Sequence, residues 1–328
     1  MSRFTQRPIL PLIPASFFAM TLGLAETGNA WRFAADHWGL PGAGGEVLQL
    51  LAILSFLWWI ALYANKWLNH RDIAITELRD PVQSSFIALI PESVILIALA
   101  LHPYHQELAI AVFWVGSVTN LLYGVWRMAA TWCVQREPAQ AVPPLLLTYT
   151  ASILVNALAA GLFGYAAYGW MLFGIGAISW LVLDSVLTQQ LMSGGLAART
   201  RNFMGIYMAP SVVALVAYQV LSGDEASTSV TLALSGYALF VAVALLVALR
   251  WLREQVFAAG YWAYTFGVAT LAQGIILAAE RNPLPAMQVA ALISFIAALF
   301  VTTAVAIGTL RLWVKGGYYP VAPPVQMV

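Results

Sequence analysis

Charge is what this chain has least of. Asp, Glu, Lys and Arg make up 9% of its 328 residues, where ordinary soluble domains carry about 25%. With 61% of residues hydrophobic, a soluble fold of this length could not keep its surface in water. The net charge of +1 at pH 7 gives no footing for nucleic acid or acidic partners. A single cysteine, Cys133, excludes a disulfide framework within the chain. HExxH, GxSxG, P-loop and CxxC motifs are missing, so the common catalytic constellations have no foothold, and neither an enzyme nor a cofactor is expected. His102 and His105 lie three apart but flank Pro103, which leaves a metal site there as a minor alternative. Arg3 and Arg7 precede an apolar stretch without a small-residue cleavage site, so no cleavable signal peptide is expected.

The few basic residues are grouped. Thirteen of fifteen fall in the clusters Arg3/Arg7, Lys66/Arg71/Arg79, Arg127/Arg136, Arg199/Arg201, Arg250/Arg253 and Arg311/Lys315. No Lys or Arg occurs between Arg79 and Arg127, from 137 to 198, or from 202 to 249. Each gap holds two membrane crossings and a short turn, because a crossing takes about 20 apolar residues at ~1.5 Å per residue. Basic residues accumulate in loops that stay cytoplasmic. The pattern predicts a multi-pass membrane protein built from helical hairpins, with both termini cytoplasmic and the lipid bilayer as its first partner. Ten spans can be laid out: 13–34, 45–68, 82–101, 107–132, 145–166, 169–191, 202–221, 229–252, 261–279 and 286–313. They imply a cytoplasmic segment 1–12, a transmembrane domain 13–313 and an irregular tail 314–328.

Odd and even spans differ. The odd ones hold Pro14, Pro91 and Pro210, and a proline within a helix frees a carbonyl and kinks it. In lipid such a carbonyl needs a protein interior or a wet cavity. Small and hydroxyl residues recur at helical spacing on the odd spans: Ala15, Ala19, Gly23, Glu26 and Ala30; Thr148, Ser152, Asn156 and Ala159; Ala263, Phe266, Thr270 and Gln273. Such stripes serve close helix packing or line a path. Three of them on alternate spans with prolines favour a path, and the bulkier even spans then form an outer ring.

Glu26, Glu92 and Asp184 fall inside predicted spans. An ionisable group at membrane depth is functional, paired, neutralised or close to an interface. Glu26 precedes Arg32 by six residues, about 9 Å along a helix, too far for a direct pair. Glu26 and Glu92 remain open between structural, hydrogen-bonded acids and groups that titrate. Asp184 reads as interfacial. Arg32 and Arg281, the two basic residues on the outer side, either draw anions or snorkel to headgroups.

Five segments then carry a resemblance: Ile13–Leu24 (IPASFFAMTLGL) leading to Trp31 and Arg32, Pro81–Pro91 (PVQSSFIALIP), Phe173–Trp180 (FGIGAISW), Met204–Pro210 (MGIYMAP) and Tyr261–Gly267 (YWAYTFG). In this order the chain resembles, from about residue 12 to 316, the slow-type anion channel and malic-acid transporter family that includes the bacterial tellurite-resistance proteins of TehA type. The resemblance implies an all-α membrane protein of ten helices in five hairpins around a quasi-fivefold central pore, in a homotrimer with one pore per subunit. It implies that Phe266, within the Tyr261–Gly267 motif, plugs the pore midway. Pore-lining or kink candidates are Pro14, Ala19, Gly23, Ser84, Ala88, Pro91, Thr148, Ser152, Gly205, Pro210, Ala263 and Thr270. Glu26 and Glu92 are candidate titrating acids, at positions usually uncharged in those relatives. The plant relatives are switched through long cytoplasmic tails, for which about a dozen residues before the first span and about fifteen after the last leave no room.

The first expectation is a gated, passive, voltage-independent channel for small anions such as chloride or nitrate. The second is a proton-linked carrier of a dicarboxylate or an oxyanion such as tellurite, with Glu26 or Glu92 titrating. A third is a membrane scaffold with a closed pore.

Overall fold

The structure, a computed structural model, describes residues 10–135 and 137–320. Arg3, Arg7 and Arg136 of the basic clusters lie outside the described residues, as do residues 1–9 and 321–328 of the two expected terminal segments. Among the described residues there are helices and no strands, as burial in lipid requires when each backbone N–H and C=O must be satisfied within its own segment. The α-helices are α1 (Ala19–Trp38), α2 (Ala43–Asn69), α3 (Arg71–Arg79), α4 (Leu89–Leu101), α5 (Gln106–Cys133), α6 (Leu146–Tyr149), α7 (Ala151–Leu162), α8 (Ala166–Ser193), α9 (Met204–Tyr207), α10 (Ala209–Ser222), α11 (Thr228–Val247), α12 (Leu249–Leu252), α13 (Trp262–Arg281) and α14 (Pro285–Val314).

Among the described residues nine helical segments are long and apolar enough to cross a membrane. The first expected span, 13–34, is not one of them: its helix carries Glu26, Thr27, Asn29 and Arg32 and runs on to Trp38, where Gly39 ends it at φ +68°, a conformation glycine adopts without strain. Burial alternates along the chain. Residues 83–101, 143–162, 198–225 and 259–281 are between 78% and 89% buried at their most apolar, against 22–33% for the other five segments. The buried helices are rich in Ala, Gly, Ser and Thr, and the exposed ones present Leu, Val, Ile and Phe outward. Each buried helix packs against the long helix that follows it: α1 on α2, α4 on α5, α7 on α8, α10 on α11 and α13 on α14. The buried helices also touch one another, α1 with α4, α4 with α7, α7 with α10, α10 with α13, and α13 with α1.

Every buried helix opens with a tighter 3-10 segment: Ala15–Phe18, Gln83–Ala88, Pro143–Leu145, Ala198–Phe203 and Ala259–Tyr261. This changes the role expected for the prolines. Pro91 is the third residue of α4 and Pro210 the second of α10, after a break at Met208. Both lie inside a continuous helical segment, 83–101 and 198–225, just past the change from 3-10 to α geometry. They mark a joint between two helical geometries within their spans.

Three further differences concern polar groups. The stretch expected to be a loop after residue 68 contains α3, whose Glu77 reaches back to the start of α1. Lys66, expected at the membrane surface with the basic clusters, is 2% exposed and paired with Glu77. The described part of the C-terminal run, to residue 320, holds turns and bends, and Tyr318 within it is buried, with its ring 5.1 Å from that of Phe17.

Candidate functional site

A cavity of about 220 Å³ runs into the bundle from the end that bears Arg199, Gln255 and Gly260 to Glu92 and the buried rings of Phe86 and Phe266. Helical spacing on five elements builds its wall. Ser16, Ala19 and Leu22 come from α1 and its 3-10 start, and Gln83, Phe86, Leu89 and Glu92 from the Gln83–Leu101 helix. Leu147 and Ala151 flank the break at Thr150, Ile206 and Ala209 flank Met208, and Trp262, Ala263 and Phe266 follow one face of α13. The wall is mostly apolar, with Gln83, Asn202, Gln255 and Arg199 gathered at the mouth. Among the described residues the Arg199 guanidinium enters no ion pair. Gln255 is held by Asn202 and by the Arg199 carbonyl, both at 2.8 Å, which fixes the rim.

Phe266 stands at the inner end, 7% exposed. One turn further along α13 the Thr270 hydroxyl donates to the Phe266 carbonyl at 2.8 Å. Two buried acids, each 1% exposed, belong to the cavity-lining helices: Glu92, part of the cavity wall on α4, and Glu26, on α1 but not in the wall. Glu26 accepts from Asn29 at 3.1 Å and sits beside the Thr270 hydroxyl. Asn29 in turn accepts from Gln49 at 2.7 Å. One oxygen of each acid, Glu26 Oε1 and Glu92 Oε2, has no hydrogen-bond partner, and neither has Gln273 Oε1.

Of the residues singled out in the sequence, Ala19, Ala263, Phe266 and Glu92 line this cavity. Gly23 faces α13: a Cβ there would lie 1.8 Å from Thr265 Oγ1. Gly205 abuts the backbone of Ala263, 2.7 Å from where its Cβ would be. Ser84 is buried against Asp80, whose carbonyl accepts its hydroxyl at 2.5 Å. Ala88, Pro91 and Pro210 are buried among helices, Thr148 and Ser152 donate to carbonyls one turn back, and Pro14 borders the grooves outside α1. Arg199, Asn202, Gln83 and Gln255 are the site residues that sequence reasoning missed. Arg199 was counted as a topology marker, Gln83 lay unremarked within the Pro81–Pro91 segment, and Asn202 and Gln255 belong to none of the five segments.

The outer arginines are structural. Arg32 grips Glu46 through two bonds of 2.8 Å, not Glu26, and Arg281 reaches the Gly223 and Gln219 carbonyls. His102 packs edge-on against Phe163, and His105 accepts the Leu108 N–H at the start of α5. Asp184 lies 3.5 Å from the Tyr237 hydroxyl. Among the described residues no group of three or more His, Cys, Asp or Glu side chains could hold a metal.

Residues 13–310 match the family described as voltage-dependent anion channel (SLAC1). The chain belongs to that family. The match takes in all five cavity-lining helices and their partners. A relative in the family, the tellurite resistance protein TehA homolog of Haemophilus influenzae, is 29% identical over 282 residues, 86% of either chain. Family membership and the apolar helices together make this a multi-pass membrane protein of the channel or transporter type.

Proposed function

We propose that the protein is a gated, passive channel for small inorganic anions such as chloride or nitrate, closed at rest by Phe266. The observation that supports this is the cavity itself, walled by five successive buried helices with Phe266 among its lining residues. On this reading α1 is a tenth span, the ten form five hairpins, and the mutual contacts of the buried helices support a quasi-fivefold ring around the pore. A ring filling a narrow apolar conduit blocks it sterically and by dewetting, and a change of its rotamer opens it. Each buried helix is followed by a long return helix, so all five point their N-terminal ends toward the mouth, which favours negative charge there. Arg199 adds a charge at the rim. Deeper in, weak contacts with helix-start amides and hydroxyls let an ion arrive and leave.

The family reading adds a homotrimer with one pore per subunit, in the inner membrane with cytoplasmic termini. On this reading the conductance does not depend on voltage, which current–voltage curves of the Phe266→Ala protein would check. Phe266→Ala in planar bilayers should raise chloride or nitrate current at least about ten-fold, since that needs only ~1.4 kcal/mol off the barrier. An unchanged conductance removes Phe266 from this role. The buried acids beside the path favour one second reading, a proton-linked carrier of an oxyanion, in keeping with the tellurite relative. Flux that saturates and follows a proton gradient would select it.

A further inference from the structure

We infer that Glu26 and Glu92 form a proton-binding pair on the conduction path, and that its protonation licenses anion passage. The inference rests on the Phe266 path described above and adds a control to it. Both acids are 1% exposed, both belong to helices that line the cavity, and each has an oxygen with no hydrogen-bond partner. Their helices, α1 and α4, pack against each other. Glu26 has Asn29 and the Thr270 hydroxyl as its neighbours.

Among the described residues no cation faces the pair, and the charges on every packed element are committed elsewhere or lie at its ends. On α1, Arg32 holds Glu46 of α2, His37 lies 3.3 Å from Glu280 of α13, and Asp36 is exposed. On α2, Tyr63 and Lys66 serve Glu77. On α5, Arg127 donates to the Pro81 carbonyl, Tyr123 to the Ser84 carbonyl, and Glu107 is exposed. On α13, Tyr264 donates to the Arg201 carbonyl and Arg281 to the Gly223 carbonyl. Arg311 of α14 is exposed, and α7 carries no ionisable residue.

Two carboxylates without a counter-ion in a low-dielectric interior repel each other and any passing anion. With protons bound, the same segment is neutral, and its hydroxyl hydrogens become donors that an anion can use in place of water. The chemistry is reversible protonation alone: one proton per carboxyl bound from water, none consumed. The pair thus acts as an acid-opened valve in series with the ring of Phe266.

The test measures chloride current through Phe266→Ala protein in planar bilayers from about pH 5 to about pH 9, a window covering ordinary and buried glutamates. Current should fall about ten-fold as pH rises, the effect expected of a fixed like charge beside an ion's path. Adding Glu26→Gln or Glu92→Gln should flatten the profile and keep the high current across the window. A flat profile in Phe266→Ala, or a slope that survives both glutamine variants, overturns the valve and leaves the channel standing. No current from Phe266→Ala overturns the path itself. Replacing sodium by a bulky organic cation at fixed pH should change nothing, and a dependence on sodium assigns the pair to a metal cation instead. Infrared difference spectra of the lipid-reconstituted wild type supply a readout independent of current. A protonated-carboxyl band that disappears with rising pH and is missing in Glu92→Gln supports the pair, and its absence in the wild type refutes it.

Discussion

Glu77→Ala should be among the most destabilising single changes available in this protein. The Glu77 carboxylate is 9% exposed and accepts three hydrogen bonds, from the Ala15 N–H at 2.7 Å, from the Tyr63 hydroxyl at 3.2 Å and from Lys66. Lys66 is 2% exposed, also donates to the Ile13 carbonyl at 2.7 Å, and lies 4.1 Å from the centre of the Tyr63 ring. Removing the acid leaves a buried ammonium and a buried amide without their acceptor. Breaking a buried pair from one side costs about 3–5 kcal/mol. Glu77→Gln keeps an acceptor but leaves the Lys66 ammonium without its counter-charge, and should fall at the low end of that range, about 3 kcal/mol. Replacing both partners, Lys66→Met with Glu77→Leu, should return to within about 1 kcal/mol of wild type, because the uncompensated charge goes with them. Unfolding in mixed micelles, followed by near-UV circular dichroism, measures the three values. A loss below about 1 kcal/mol for Glu77→Ala, typical of exposed pairs, refutes the clamp. So does a double variant as unstable as the single. Because Ala15 precedes Ser16 and Ala19 of the cavity wall, Glu77→Ala should also broaden the distribution of single-channel currents in the Phe266→Ala background.

Gly205→Ala would place a methyl group 2.7 Å from the carbonyl carbon of Ala263; with backbone on the far side, overpacking should cost about 1–3 kcal/mol in the same unfolding assay. Wild-type stability in this variant would mean that the helix carrying Phe266 can slide. Arg199→Glu reverses the unpaired charge at the mouth and should lower anion current from that side several-fold at low salt, the difference shrinking as ionic strength rises. Bilayer recordings across a salt series check it, and an effect independent of salt argues against steering.

Much of the architecture was legible because the bilayer leaves so few solutions. Long apolar stretches between basic clusters had to be helices, and the small-residue stripes of the odd spans correctly marked the buried set. Phe266 drew notice through its motif, and the structure then put that ring at the floor of a cavity. The rim was not legible: Gln83, Asn202 and Gln255 come from three different connections, and spacing within one segment cannot show which loops meet. Lys66 misled because a lysine near a span end usually snorkels to water, while its partner Glu77 sits eleven residues away on a short helix. The first span fell short of the hydropathy of the rest because α1 concentrates polar residues that only protein neighbours can satisfy.

That last feature bears on how the chain reaches its folded state. Helix α1 leaves the ribosome early, yet α13 is one of its principal packing partners, and Thr27 finds the Thr302 hydroxyl 275 residues downstream, at 2.9 Å. Through most of synthesis its polar face has α2 and α4 but not the far end of the protein to cover it. Contacts this distant in sequence form slowly. Biogenesis must therefore carry an unfinished seam through membrane insertion, and the last hairpin to be translated is the one that closes it.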